Sequence, residues 1–264
     1  MDLKIAIIGG GNLGLSIADG LIASPEIEND NITITRRNIA PIENLEKHGI
    51  HVTQNNINAV RNSDIILIVV KPYNVKEVLS SIDLELDPSR HIIVSLATGI
   101  SINEIEGFIS KKVRVFRAMP NIATDIRESI TCICNNGANE DEKKKVHWLF
   151  EQLGISVDIT EDLMEAATIL AACGIAYVLR FIRAMIQGGI QIGFDSATAS
   201  RIVTQTVRGA ADLMIARDEH PESLIDKVTT PKGCTIVGLN EMEHQGFSSS
   251  LIKGIVTSFA KIEK

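Results

Sequence analysis

The chain has only four cysteines, no surplus of basic residues and no apolar run of bilayer length. Cys132, Cys134, Cys173 and Cys234 include no C-x-x-C pair and have no histidine-rich partner. That excludes the usual structural zinc sites and dithiol motifs, and leaves reduced, buried thiols as the expectation. Cys132 and Cys134 fall in a strand-like run and are expected to point to opposite faces, poorly placed to chelate together. A formal charge of −7 argues against a nucleic-acid footprint. The longest apolar stretch, Ala166 to Leu179, falls short of the roughly 20 residues that span a bilayer. Arg180 and Arg183 close it, so it reads as a buried helix whose companion face requires another chain or domain. Met1-Asp2-Leu3-Lys4 leads straight into an apolar run with no signal-peptide pattern. The expectation is a cytoplasmic, soluble protein with no membrane or nucleic-acid partner. No repeat, low-complexity tract, metal-ligand cluster or nucleophile with a paired base is visible.

What is present begins at the N-terminus, with Ile5-Ala6-Ile7-Ile8 followed by Gly9-Gly10-Gly11-Asn12-Leu13-Gly14. Gly9, Gly11 and Gly14 have the spacing of a dinucleotide fingerprint. The first glycine permits the tight turn, the second lets the backbone approach a pyrophosphate, and the third lets helix and strand pack closely. The helix after the turn points free N–H groups and a partial positive charge at the phosphates.

At 264 residues the chain can hold two ordinary domains. Apolar runs at residues 5–8, 32–34, 65–70, 92–96, 113–116 and 129–134 predict strands. Helical patterns at 41–48, 75–82, 102–109 and 141–153 separate them. Ile- and Val-rich strands without alternation predict an α/β fold: a doubly wound, Rossmann-type parallel sheet, covered on both faces, with its ligand at the C-terminal strand ends. Strand signals stop near Thr160, a candidate N-cap. A long helix is expected over about 163–192, loosened at Gly188-Gly189, and a second over about 195–217, with shorter helices after Pro221, Pro231 and Gly246. The predicted division is a dinucleotide-binding domain over 1–160 and an all-helical substrate and dimerisation domain over 161–264. So long an apolar helix suggests pairing with a second copy.

NAD-binding chains carry an acidic residue about 20 positions beyond the glycine turn, where it bonds the ribose 2′-OH. Here Ile34-Thr35-Arg36-Arg37-Asn38 offers two guanidinium groups and no carboxylate. Guanidinium matches phosphate geometry, so NADPH is expected, with NADH the alternative if both arginines are merely solvated. Lys71-Pro72 and Pro120-Asn121 each follow a strand and are read as the rim that receives the nicotinamide half. Asn121 offers an amide to the ribose or carboxamide. Pro231 is read as a first helical residue. Gly233, Cys234 and Thr235 would then present free N–H groups to a carboxylate, with the Thr230 hydroxyl beside them. An ordinary helix cap is the alternative.

Taken in order, Ile8-Gly9-Gly10-Gly11-Asn12-Leu13-Gly14, Val70-Lys71-Pro72, Ser95-Leu96-Ala97-Thr98-Gly99-Ile100, Arg117-Ala118-Met119-Pro120-Asn121, Gly174-Ile175-Ala176-Tyr177 and Thr230-Pro231-Lys232-Gly233-Cys234-Thr235-Ile236 resemble the pyrroline-5-carboxylate reductase family. The resemblance implies a Rossmann domain, an interlocking helical dimerisation domain, and a homodimer or larger assembly. It implies hydride transfer from NAD(P)H to the C=N carbon of a cyclic imino acid, giving proline. It puts Asn56, Val70, Ala97 and Met119 beside the cofactor with Gly9, Gly11, Asn12, Leu13, Gly14, Arg36, Arg37, Lys71, Pro72, Pro120 and Asn121. It puts Thr235 at the imine nitrogen as the catalytic hydroxyl. Several positions depart from the pattern. Lys232 stands where glycine is usual and is expected to be tolerated with a helical φ; Ala172 and Ile175 replace glycine and proline, and Ile122-Ala123 replaces threonine-proline. These changes leave open a reductase of another imine or keto acid, or a cofactor-binding relative without turnover. A hydroxy-acid dehydrogenase using Lys227, Lys232, His220 or His244 is a more distant alternative.

Overall fold

The structure is a computed structural model and describes residues 1–262. Eight strands form one sheet in the order β3-β2-β1-β4-β5-β6-β7-β8. They are β1 (Ile5–Ile8), β2 (Ile32–Thr35), β3 (His51–Thr53), β4 (Ile65–Ile68), β5 (Ile92–Ser95), β6 (Arg114–Met119), β7 (Ser129–Asn135) and β8 (Gly154–Asp158). β1 pairs in parallel with β2 (Ile5↔Ile32) and with β4 (Ile5↔Ile65). The strand order reverses there, which opens a crevice at the carboxyl ends.

Because successive side chains on a strand face opposite ways, β1 feeds two cores. Ile5 and Ile7 pack with Ile17 and Leu21 of α1 (Asn12–Ile22) and Leu149 and Phe150 of α5 (Glu140–Glu151). Ala6 and Ile8 join the other cluster. It includes Val60 of α2 (Asn56–Arg61), Val75 and Leu79 of α3 (Pro72–Ile82) and Ile105 of α4 (Ile102–Gly107). All four β1 side chains are buried, as the unalternating sequence requires.

Several sequence expectations change. The β6–β7 pair is antiparallel, since residues 120–128 are too few for the crossover of about a dozen residues that a parallel return needs. β3, β8 and α2 are additional elements; β3 and α2 are short, and β8 lies at the edge with Ile155 and Val157 exposed. The helical pattern at 41–48 is a 3-10 turn over Glu43–His48, stopped by Gly49 at φ 88°. Cys132 and Cys134 lie two apart on β7 and therefore share a face; both are buried in the same cluster. Cys173 is half-buried and Cys234 exposed, so only two of the four thiols are interior. Burial, with Glu161 nearby, pushes the Cys134 thiol up to about 11.

The chain divides into two compact units, Met1–Cys173 (with Ile262) and Gly174–Lys261. The first ends in α6 (Met164–Ala167) and a π-helical turn, Thr168–Cys173. Thr160 precedes the 3-10 turn Glu161–Leu163 without a side-chain cap bond. The second comprises α7 (Gly174–Gln191), α8 (Ser196–Ala216), α9 (Pro221–Val228), α10 (Cys234–His244) and α11 (Phe247–Ile262). Gly188 and Gly189 stay helical; the long helix is interrupted at its π turn instead. Inside the second unit Tyr177 Oη donates to Ser258 Oγ at 2.9 Å, and the Phe181 and Phe247 rings lie 6.0 Å apart.

The helical run Glu161–Gln191 is long and apolar enough to cross a membrane by length and composition, and only 6% of its most apolar window is buried. The expectation of a buried helix therefore fails for the isolated chain: α7 has no buried residue. An apolar groove of about 500 Å³ runs between α7 and α11, lined by Tyr177, Phe181, Phe247 and Leu251.

Candidate active site

A crevice of about 810 Å³ opens at the C-terminal ends of β1, β2, β4 and β5. The glycine turn forms one wall. Gly9 has φ 121°, and a Cβ there would strike the Val69 carbonyl. A Cβ at Gly14 would strike the Gly9 carbonyl, so this buried glycine serves helix–strand packing. A Cβ at Gly11 would meet nothing within 4 Å; it would project into open space. Gly11 is also the N-cap of α1 and supplies no side-chain cap. The first amides of α1 are thus left for an anion.

Arg36 Nη1 donates to the Gly10 carbonyl at 2.8 Å, which holds the guanidinium against the turn. Arg37 lies 3.6 Å from Glu77, both well exposed. The crevice lining contains Arg36, Arg37 and Lys71 and no carboxylate. These features fit a phosphorylated dinucleotide: a cradle without Cβ atoms, free helix amides and a lining whose polar side chains are cations, amides and hydroxyls, with no carboxylate.

Of the residues expected at the cofactor, Gly9, Gly11, Asn12, Leu13, Arg36, Arg37, Asn56, Val70, Lys71, Pro72 and Ala97 line this crevice. Lys71 is the extended N-cap of α3 at ψ 146°, with Pro72 in its first turn. Gly14, Met119, Pro120 and Asn121 are not in the lining. Met119 and Pro120 are buried at the end of β6. Both ends of the Asn121 amide are engaged within the protein: Oδ1 accepts from the Ala123 N–H at 2.9 Å and Nδ2 donates to the Ala171 carbonyl at 3.3 Å. Thr35, Asn38, Asn74, Thr98 and Ile122 also line the crevice. Their signal in the sequence is adjacency, since each lies within two residues of a motif position already singled out or ends the same strand.

Beneath the β6 end, the buried Arg117 guanidinium meets two carboxylates, Glu161 at 3.3 Å and Glu165 at 2.7 Å. Glu161 also accepts the Ile102 N–H at the start of α4, at 2.7 Å. This network ties the helix that begins at 161 to the sheet.

The Thr229–Ile236 segment differs from its expected form. The Gly233 N–H donates to the Thr230 carbonyl at 2.9 Å, closing a β-turn with Pro231 and Lys232 at its centre. Pro231 is therefore a turn residue, and α10 starts at Cys234 with Gly233 as N-cap. Lys232 has φ 62°, left-handed rather than helical. A turn with proline at its second position and positive φ at its third favours glycine at the third, so Lys232 holds a backbone conformation unfavourable to an L-residue. With the Gly233 N–H spent on the turn, the free donors are those of Cys234 and Thr235 in the first turn of α10. The turn is open to solvent: Thr230, Lys232 and Cys234 are exposed, and Thr235 is half-buried. A Cβ at Gly233 would come within 2.6 Å of Thr230 Oγ1, so this hydroxyl lies directly over the helix start. Among the described residues no group of three or more His, Cys, Asp or Glu could hold a metal ion.

A Rossmann-type sheet with an acid-free dinucleotide crevice, followed by an all-helical unit, defines an oxidoreductase of the nicotinamide-dinucleotide class. Residues 161–264 match the family model described as pyrroline-5-carboxylate reductase dimerisation, and residues 4–99 match that of NADP oxidoreductase, coenzyme F420-dependent. The chain is 40% identical to pyrroline-5-carboxylate reductase 2 of Dictyostelium discoideum, over 100% of this chain and 94% of the relative. It is 43% identical to pyrroline-5-carboxylate reductase 1 of the same organism over 98% of this chain, and spans about half of that relative's length (49%). The structure superposes at a TM-score of 0.90 on Plasmodium falciparum pyrroline carboxylate reductase with NADP bound, at 26% identity, covering 98% of this chain and 97% of the other. The chain belongs to the pyrroline-5-carboxylate reductase family.

Proposed function

We propose that this protein reduces 1-pyrroline-5-carboxylate to L-proline, the last step of proline biosynthesis, using NADPH. The observation that carries the reading is the presence in one chain of an acid-free dinucleotide crevice and of exposed helix-start amides after Pro231. When bound, NADPH supplies the hydride. The glycine turn and the first amides of α1 hold its pyrophosphate, and Arg36 and Arg37 face its 2′-phosphate. Val70, Lys71, Pro72 and Ala97 line the nicotinamide side, Asn56 also sits beside the cofactor, on the β2–β3 side near Arg36, and Met119 and Pro120 form the packed wall behind. The amides of Cys234 and Thr235 bind the substrate carboxylate, with the Thr230 hydroxyl beside them. The Thr235 hydroxyl bonds the imine nitrogen and assists its protonation. Orientation supplies most of the catalysis, and electrostatics the rest.

The functional domains in this reading are 1–160 for the dinucleotide and 161–264 for substrate and dimerisation. The groove between α7 and α11 receives a second copy of the chain, so the working form is a homodimer or a larger assembly. The helical half of the pocket is then shared between subunits. The protein acts in the cytoplasm on a small imino acid.

A second reading, reduction of a different imine or keto acid, is favoured by Lys232, whose ammonium replaces a glycine hydrogen beside the carboxylate site. NADPH oxidation by the purified protein, measured with pyrroline-5-carboxylate and with its six-membered homologue, separates the two. Preference for the five-membered imine supports the proposal, preference for the homologue favours the second reading, and turnover of neither contradicts both.

A further inference from the structure

We infer that Asn121 is a positioning residue that keeps the helix entering the second unit in its π-turn form. The inference rests on the reductase reading for its catalytic consequence. Asn121 is held at three points. Its backbone N–H donates to Ser129 Oγ at 3.1 Å, its Oδ1 accepts from the Ala123 N–H at 2.9 Å, and its Nδ2 reaches the Ala171 carbonyl at 3.3 Å. Ala171 lies inside the π turn Thr168–Cys173. Upstream, Arg117 grips Glu161 and Glu165, and Thr168 Oγ1 donates to the Met164 carbonyl at 2.9 Å. Past residue 168, the Asn121 bond is the one side-chain hydrogen bond to the π turn among the described residues. Ala171 and Ala172 pack on the sheet's core, but methyl contacts do not fix which carbonyl pairs with which amide.

The identity of residue 175 gives this bond its weight. In a regular α-helix the Ala171 carbonyl accepts from the N–H four residues on. A proline at 175 would have no N–H, and the carbonyl would then be free for Asn121 by default. This chain has Ile175, which brings a competing donor. The Asn121 amide satisfies the Ala171 carbonyl inside the π turn, where in a continuous α-helix the Ile175 N–H would do so; a carbonyl can accept both, so the Asn121 bond favours the π turn without excluding the α-helical pairing. The two forms differ in which amide pairs with the Ala171 carbonyl. Single π turns inside α-helices recur at functional sites. Asn121 biases the equilibrium to the π form, so it acts on the reaction through the helix and not by touching NADPH.

The test uses the full chain, with three readouts: kcat and KM for the imine, the NADPH Kd by fluorescence titration, and amide hydrogen exchange over residues 168–177. Asn121→Asp keeps the acceptor for Ala123 and deletes the donor to Ala171. It should lower kcat by roughly tenfold, leave the NADPH Kd within about twofold, and change exchange over 171–177. Adding Ile175→Pro removes the competing N–H and should return kcat to within about threefold of the unaltered protein. Ile175→Pro alone should retain activity and slow exchange in the π turn, a result that stands even if Asn121→Asp fails to fold. An NADPH Kd weakened as much as kcat, unchanged exchange in Asn121→Asp, or loss of the helix in Ile175→Pro would each overturn the inference. If the unaltered protein does not turn over the imine, the reductase reading falls, while the exchange and NADPH measurements still decide the role of Asn121.

Discussion

The Arg36 guanidinium donates to the Gly10 carbonyl at 2.8 Å, joining the end of β2 to the glycine turn. One bond thus sets the cation beside the phosphate cradle before any ligand arrives. Hydrogen bonds to charged groups contribute about 1.5–3 kcal/mol, so Arg36→Ala should weaken NADPH by roughly ten- to a hundredfold. NADH, which lacks the 2′-phosphate, should change by less than about threefold, and Arg36→Lys should not restore the bidentate fit. Titration of both cofactors checks this; equal losses would remove Arg36 from cofactor choice.

Gly11 and Gly14 are predicted to fail in different ways. A Cβ at Gly11 has room in the protein itself, whereas one at Gly14 collides with the Gly9 backbone. Gly11→Ala should leave the urea midpoint nearly unchanged while NADPH affinity falls by about tenfold or more, since the pyrophosphate needs that space. Gly14→Ala should cost about 1–3 kcal/mol of stability through overpacking. Denaturant titrations with and without NADPH distinguish the two.

Lys232→Gly is expected to stabilise the protein. A left-handed φ costs an L-residue about 1–2 kcal/mol, and glycine gives back about 0.4–1 kcal/mol through unfolded-chain entropy. The net gain expected in urea unfolding is about 0.5–1 kcal/mol. A destabilised variant would mean that the Lys232 side chain makes contacts that outweigh its backbone strain.

His91 gives stability a pH dependence. It is buried and its Nδ1 accepts the Asp87 N–H at 2.9 Å. Burial first, and then Arg90, hold its pKa below the ordinary value. The unfolded chain therefore takes up this proton near pH 6.5 while the folded chain resists it. The contribution is present above about pH 6.5 and declines as pH falls through that value toward the depressed folded pKa. His91→Asn, which keeps an acceptor and does not titrate, should flatten the urea midpoint between about pH 7 and pH 5.

Much of this was legible in the residues. The β1 run, the glycine spacing and the acid-free end of β2 each depend on local chemistry, and the structure places them together. The reversal at β7 was missed because the apolar run at 113–116 ends three residues before β6 does, which left a gap of crossover length where the strand in fact continues to Met119. The Lys232 conformation was hidden by the assumption that Pro231 opens the helix; proline fits a turn equally well, and only the Gly233–Thr230 bond decides. The Asn121 bond to Ala171 joins positions far apart in the chain and has no periodic signal.

The most direct test of the proposed chemistry is a crystal structure of the protein with NADP⁺ and L-proline. The expected result is the proline carboxylate within hydrogen-bond distance of the Cys234 and Thr235 amides, its ring nitrogen at the Thr235 hydroxyl, and its ring against the nicotinamide. Proline held elsewhere, with those two amides bonded to water or protein, would contradict it.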